Sequence, residues 1–266
     1  MTNQKKEMIE QVKLILEEND GEMTYWGEKI SPHPGNSLAE VQNELVQNFK
    51  ELDPGSTRET VVRDDVVAND LTHLKDVVIG DCHLCPLGDT RIKLVFGVGN
   101  PQTDVMFVGE GPGFEEDRKG EPFVGKAGQL LDKIIGAINL DRTKVYIANV
   151  VKCHPMKDST QPENRGNDRP PTIEEMEKCL PFLFRQIEII QPKIIVTLGS
   201  VATKALLDRS GGITALRGKI YDVQLGENKF RTKILPTFHP AALLRDDTLK
   251  RPVWDDMKLL RDFLQE

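Results

Sequence analysis

The sequence predicts an α/β protein of three layers, α/β/α, on a central, mainly parallel four-stranded sheet, with a helical N-terminal extension. Three observations carry this expectation. From Lys93 onward, short apolar runs alternate with segments whose apolar residues recur at helical spacing. The runs are strand-sized, and every one stops in a polar turn: GEGPG, Asn149 with VKCHP, GSVAT and FHPAALLR. A repeated strand–helix order implies parallel strands with helices on both faces.

The elements follow in order. Met8, Val12 and Ile15 share one helical face, as do Leu38, Val41, Leu45 and Phe49, while GEMTYWGEKISPHPGN between them is turn-rich and reads as a connector. A third short helix, with Leu71, Leu74 and Val78 inward, leads to Cys82. Residues 1–65 form a helical, acidic extension with no assigned function, and residues 66–266 form the main domain. There, strands are expected at Asp104 to Val108, Val145 to Val151, Lys193 to Leu198 and Lys233 to Thr237. Helices are expected around Leu130–Ile138, from the Thr172/Glu175 capping box through Cys179 towards Ile190, through Leu207, and from Pro252 to the end. Ligands of such sheets bind beyond the carboxyl ends of the strands, so the four polar turns should assemble the site.

Composition narrows the class. With 38% hydrophobic and 29% charged residues, the chain is too polar for a membrane protein, and no apolar stretch approaches a span. The reading is a soluble, cytoplasmic chain. Its net charge of −7 argues against nucleic acid when taken whole. Residues 1–80, however, hold 8 Lys and Arg against 16 Asp and Glu, so the remainder is close to neutral and free to carry a basic face.

Each candidate has a bland reading beside the functional one. GEGPGFEEDRKG is not a Walker loop, because Val124-Gly125-Lys126-Ala127 lacks the required hydroxyl, and GVGNPQ is not a dinucleotide fingerprint. The loop's glycines could serve only a tight turn, yet Glu110, Glu115, Glu116 and Asp117 crowd it and repel unless used. His239 ends the fourth strand beside Pro240, where a histidine is either structural or catalytic. Asn149 lies in an apolar strand, so its amide either meets a neighbouring loop or reads a ligand. Phe123 is core or a stacking surface. Cys82, Cys85, Cys153 and Cys179 fit zinc, an iron–sulfur cluster or plain buried thiols, and spacing does not separate the first two. His83 and His154 stand beside cysteines as substitute ligands.

Taken together, CHLCPL at 82–87, GEGPGFEEDRKGEPFVGKAGQLL at 109–131, VYIANVVKCHP at 145–155, KIIVTLGSVAT at 193–203, LRGK at 216–219 and FHPAALLR at 238–245 resemble the family 4 uracil-DNA glycosylases. The resemblance covers about residues 78–265 and implies a DNA-repair hydrolase that flips deoxyuridine from the stack and releases uracil. It implies that Phe123 stacks on the base, Asn149 reads its polar edge, and Glu110 and Gly111 line the pocket. Glu116 would exclude a thymine methyl or hold the water, and His239 would stabilise the departing anion. Ser200 and Thr203 would bind phosphate at a helix start, Leu243 and Leu244 would fill the gap in the stack, and Arg245 would hold a phosphate.

The same resemblance favours a structural [4Fe–4S] cluster on Cys82, Cys85, Cys153 and Cys179, with zinc as the alternative. The partner implied is uracil-containing DNA, single- or double-stranded. The protein would act as a monomer, cytoplasmic and nucleoid-associated when on DNA. A relative within the superfamily bonds covalently to uracil through a histidine in an inserted loop. SGGITALRGKIYDV at 210–223 has neither the histidine nor the insertion, so turnover is expected. Two departures stand out: 25 residues between Cys153 and Cys179, and the acidic N-terminus. The competing reading is a metal-cluster nucleic-acid-binding module without catalysis.

Overall fold

The structure, a computed structural model, describes residues 23–25, 28–30, 67 and 69–265. The chain divides into two compact units, Met1–Thr57 and Arg58–Glu266. In the first unit, β1 (Met23–Tyr25) pairs antiparallel with β2 (Glu28–Ile30), Met23 opposite Ile30. The segment read as a connector therefore contains a pair of antiparallel strands. Its strands are three residues long, too short for an alternation to register. The helices expected around Met8–Ile15 and Leu38–Phe49 lie outside the described residues.

In the second unit, a helical stretch widens into a π-helix at Leu74–Ile79. Leu71, Leu74 and Ile79 turn inward, whereas Val78, expected inward, is exposed. The reason is phase: i→i+5 winding carries the next inward position one residue past its α-helical place. After α1 (Leu87–Thr90) the chain runs through β3 (Val98–Gly99), β4 (Val105–Gly109), α2 (Phe114–Lys119), α3 (Lys126–Gly136) and β5 (Tyr146–Asn149). It continues with α4 (Ile173–Ile190), β6 (Ile194–Leu198), α5 (Gly199–Leu206), α6 (Ile213–Leu216), β7 (Tyr221–Leu225) and β8 (Phe230–Thr237). The short α7 (Pro240–Leu243) and the long α8 (Lys250–Phe263) close the unit.

The sheet has six strands in the order β3-β5-β4-β6-β8-β7. Its four central strands are parallel and are the four read from sequence. Two antiparallel edges, β3 and β7, enlarge the expected count. β3 is two residues long, and β7 alternates between partly buried and exposed positions, so neither shows the continuous apolar run of a central strand.

Alternation along the strands makes the three layers. Val105 and Phe107 face one way with Leu131 and Ile135 of α3 and Val253, Met257 and Leu260 of α8. Met106 and Val108 face the other way with Leu183 and Ile187 of α4 and Ala202 and Leu206 of α5. α4 starts where the capping box places it: Thr172 Oγ1 accepts from Glu175 N at 3.2 Å, and Glu175 Oε2 accepts from Thr172 N at 2.7 Å. The chain leaves β4 towards β5 and leaves β6 towards β8, in opposite directions across the sheet. That reversal opens a crevice at the strands' carboxyl ends.

Candidate active site and cysteine cavity

Gly109 and Asn149 end neighbouring strands in register. A Cβ on Gly109 would lie 2.4 Å from Asn149 Oδ1 and 2.5 Å from Phe123 Cζ, so only glycine lets these two side chains meet over the strand end. Asn149 is 1% exposed, and its Oδ1 is buried without a partner. An amide oxygen left unpaired in a strand end costs stability unless a ligand completes it. Gly111 is packed as tightly, since a Cβ there would be 2.7 Å from Val151 Cγ2. Glu110 is half-buried, and burial pushes its carboxyl above the ordinary range.

Phe123 is buried at φ 55°, a left-handed backbone rare for a bulky residue. Arg142 holds it there: its guanidinium donates to the carbonyls of Phe123 and, at 3.2 Å, Pro122, and is itself tied to Asp132 at 2.7 Å. The Phe123 ring lies 5.6 Å from the His239 ring, tilted by 33°.

His239 caps α7, its Nδ1 accepting from Ala241 N at 3.1 Å. An accepting Nδ1 leaves the neutral ring's proton on Nε2. Burial, helped by the charge of Arg245 and opposed by Glu116, lowers its pKa to about 4. The imidazole is therefore neutral at pH 7 and retains one donor.

Glu116 joins two loops. Its Oε1 accepts from Val124 N and Gly125 N, each at 2.9 Å, and its Oε2 from Gly113 N at 3.2 Å. Three amide donors on one carboxylate make it a staple between the GEGPG loop and the Phe123 segment rather than a free base.

The expected DNA contacts divide. Ser200 is half-buried at the second position of α5, and Leu244 and Arg245 are exposed beyond α7. Two expectations are corrected. Thr203 is 1% exposed, with its hydroxyl donating to Gly199 O at 2.8 Å and sharing a hydrogen bond with Thr197 Oγ1 at 2.9 Å. One turn into α5, it faces the sheet and has no route to a phosphate. Leu243 is 1% exposed and packs in the core with Leu131 and Leu260, whereas Leu244 is 50% exposed. Only the second leucine is free to enter a base stack.

All four cysteines line one cavity, with Ile79, Leu84, Leu94 and Phe182. They are free thiols. Burial raises Cys153 to about 12 against the opposing charge of Arg91. Arg91 donates to Cys82 O at 2.6 Å and Asp81 at 2.7 Å, and its Nη1 lies 3.8 Å from Cys153 Sγ. Among the described residues, no group of three or more His, Cys, Asp or Glu is arranged to hold a single metal ion.

Neither flanking histidine joins the thiols. His83 pairs with Asp81 and Asp89. His154 Nε2 bonds Asp168 at 2.7 Å, and its Nδ1 stands 3.8 Å from Asp117. Burial lowers its pKa, but the two carboxylates outweigh that and carry it up to about 9. Asp168 belongs to the long loop before α4, which docks on α2: Arg165 reaches Glu115, Arg118 reaches Glu163, and both guanidinium groups stack over Phe114.

Sequence reading passed over Lys152, Arg142 and Arg91. Lys152 is 1% exposed, and its Nζ donates to Asn149 O at 2.7 Å and Gln186 Oε1 at 2.6 Å. Burial lowers it to about 8, with Cys179 and Cys153 opposing. The signal was a lone charge at the end of an apolar run; for the two arginines, nothing local marked them.

The uracil DNA glycosylase superfamily model matches residues 96–258, which contain Asn149, Phe123 and His239. The chain is 42% identical over 197 residues to the type-4 uracil-DNA glycosylase of Sulfurisphaera tokodaii, covering 72% of this chain and 84% of the relative. It is 43% identical over 188 residues to that of Thermotoga maritima, covering 70% and 90%. A type-5 uracil-DNA glycosylase of Pyrobaculum aerophilum is more distant, at 29% over 162 residues. With Asn149, Phe123 and His239 brought together at the strand ends and the match spanning all three, the chain belongs to the uracil DNA glycosylase superfamily.

Proposed function

We propose that the chain is a uracil-DNA glycosylase, which hydrolyses the N-glycosidic bond of deoxyuridine in DNA, releases uracil and leaves an abasic site for base-excision repair. The observation that carries this is the buried, unpartnered Oδ1 of Asn149 beside the Phe123 ring at the end of β5. A flipped uracil stacks on Phe123 and donates its N3–H to that oxygen. Cytosine presents a lone pair at N3, so the same oxygen repels it.

As the glycosidic bond breaks, negative charge gathers on the uracil carbonyls. His239 meets it as a neutral donor through Nε2, its Nδ1 being engaged by Ala241 N. A prepositioned donor in a dry site stabilises such charge without reorganising. Glu116 acts as a positioning residue, and the half-buried Glu110 is the free carboxylate beside the pocket for the attacking water. Leu244 fills the gap in the stack, while Ser200 and Arg245 hold phosphates. One pocket on one chain suffices, so the enzyme works as a monomer.

The cysteine cavity supports a [4Fe–4S] cluster on Cys82, Cys85, Cys153 and Cys179. Four thiols around one cavity suit either that cluster or zinc, and the likeness to the type-4 relatives favours the cluster. Bound there, the cluster would cross-link three segments distant in the chain, a structural part away from the glycosidic bond.

The test is base release from an end-labelled oligonucleotide with one uracil, followed by alkali. Cleavage confined to that strand, and absent with cytosine or thymine, is the expected result. A folded, iron-loaded protein that binds the strand without releasing uracil overturns the reading in favour of a binding module.

A further inference from the structure

Lys152 stands between the two sites. Its Nζ donates to Asn149 O and to Gln186 Oε1, and Gln186 Nε2 in turn donates to Phe96 O at 3.0 Å. Its backbone N–H bonds Cys179, and the residue lines the cysteine cavity. The peptide joining Asn149 to Val150 is thereby held at both ends, since Val150 N donates to Gly109 O at 2.9 Å. Holding that plane fixes the backbone of Asn149 and with it the direction in which its carboxamide leaves the chain. A neutral donor could make the same bond at lower cost, because a buried ammonium is expensive unless negative charge opposes it. The four cysteines of the adjoining cavity would supply that charge as thiolates when they hold a cluster.

We propose that Lys152 is a positioning residue for base recognition, locking the Asn149 carboxamide in its uracil-reading direction from its place in the wall of the cysteine cavity. The cysteine site then serves the pocket through one side chain. This rests on reading the pocket as uracil-specific and the cavity as cluster-bearing.

The test is a double-mutant cycle in the full chain. Its readout is the ratio of affinities for single strands carrying 2′-fluoro-2′-deoxyuridine or 2′-fluoro-2′-deoxycytidine, analogues that resist hydrolysis. Iron and sulfide content and visible absorbance are measured on every variant. Lys152→Met should keep its iron and lower the ratio about tenfold or more. In the Asn149→Ala background it should have no further effect, because a residue acting only through Asn149 is silent without it. Gln186→Leu, which leaves the cavity lining untouched, goes through the same cycle with a smaller expected drop, and decides the matter if Lys152→Met fails to fold or to load iron. Effects that multiply independently, or a ratio unchanged by both variants, overturn the proposal. A wild-type ratio near one overturns the uracil reading instead. A wild-type protein showing the coupling without iron or sulfide overturns the link to the cavity.

Discussion

The base pocket and the cysteine cavity are only four residues apart in the chain, from Asn149 to Cys153, yet they treat polar groups in opposite ways. In the pocket, hydrogen-bonding capacity is left open: Asn149 Oδ1 has no partner, and Phe123 is held in a left-handed backbone. Around the cavity, capacity is closed: Arg91 spends its donors on Asp81 and on the carbonyls of Cys82 and Gly88. The contrast matches what each must hold. A pocket that binds and releases a base must keep unmet groups aimed at it, at some expense in stability. A site for a permanent occupant can be packed and saturated.

Perturbing the cavity should therefore cost stability, and perturbing the pocket should cost activity. The largest effect is expected from the cavity. Cys179→Ser, or chelation of the cluster proposed for the cavity, should lower the thermal midpoint by about 10 °C or more, read by calorimetry. His239→Ala should leave the midpoint near wild type and lower single-turnover uracil release by about 10²–10³-fold. A variant that loses midpoint and activity together would break the contrast.

The two leucines sharpen it within one turn of chain. Leu243→Ala should cost about 3 kcal/mol in a denaturant titration, because it empties a core site. Acid pH tests His239 separately. Its folded pKa of about 4 lies below the ordinary 6.5, so the unfolded chain takes up the proton first. This group's contribution to stability is complete above pH 6.5 and is lost as pH falls towards 4. His239→Gln should flatten that window in denaturant titrations run as a pH series. Leu244→Ala carries the smallest effect, a few-fold loss on duplex substrate with little on single strands.

Much of this was legible from residue patterns. Central parallel strands bury both faces, so VMFVG, YIAN, IIVTL and the end of β8 stand out as apolar runs. The capping box at Thr172 marked its helix start to the residue. Edge strands were missed because β3 is too short and β7 too polar to carry that signal. The site was legible as a set of polar strand ends, but the orientation of its side chains was not. Thr203 and Leu243 were expected as DNA contacts through the family resemblance, which carries positions but not the direction of a side chain. Helical phase turns both into the core, and phase depends on where a helix begins, which sequence locates only to within a residue or two. Val78 was misplaced for the same reason, through a single turn of π winding.

By itself, the sequence determined the α/β layering, the four parallel strands, the four thiols and the polar turns that hold Phe123, Asn149 and His239. These follow from local periodicity and residue chemistry, which neighbours along the chain set. Only tertiary structure decided that Glu116 staples two loops, that Arg142 holds Phe123, that Asn149 keeps an open oxygen, and that Lys152 joins pocket to cavity. Each of these depends on groups far apart in the chain, or on which way a side chain leaves its backbone. Both are settled by packing rather than by pattern.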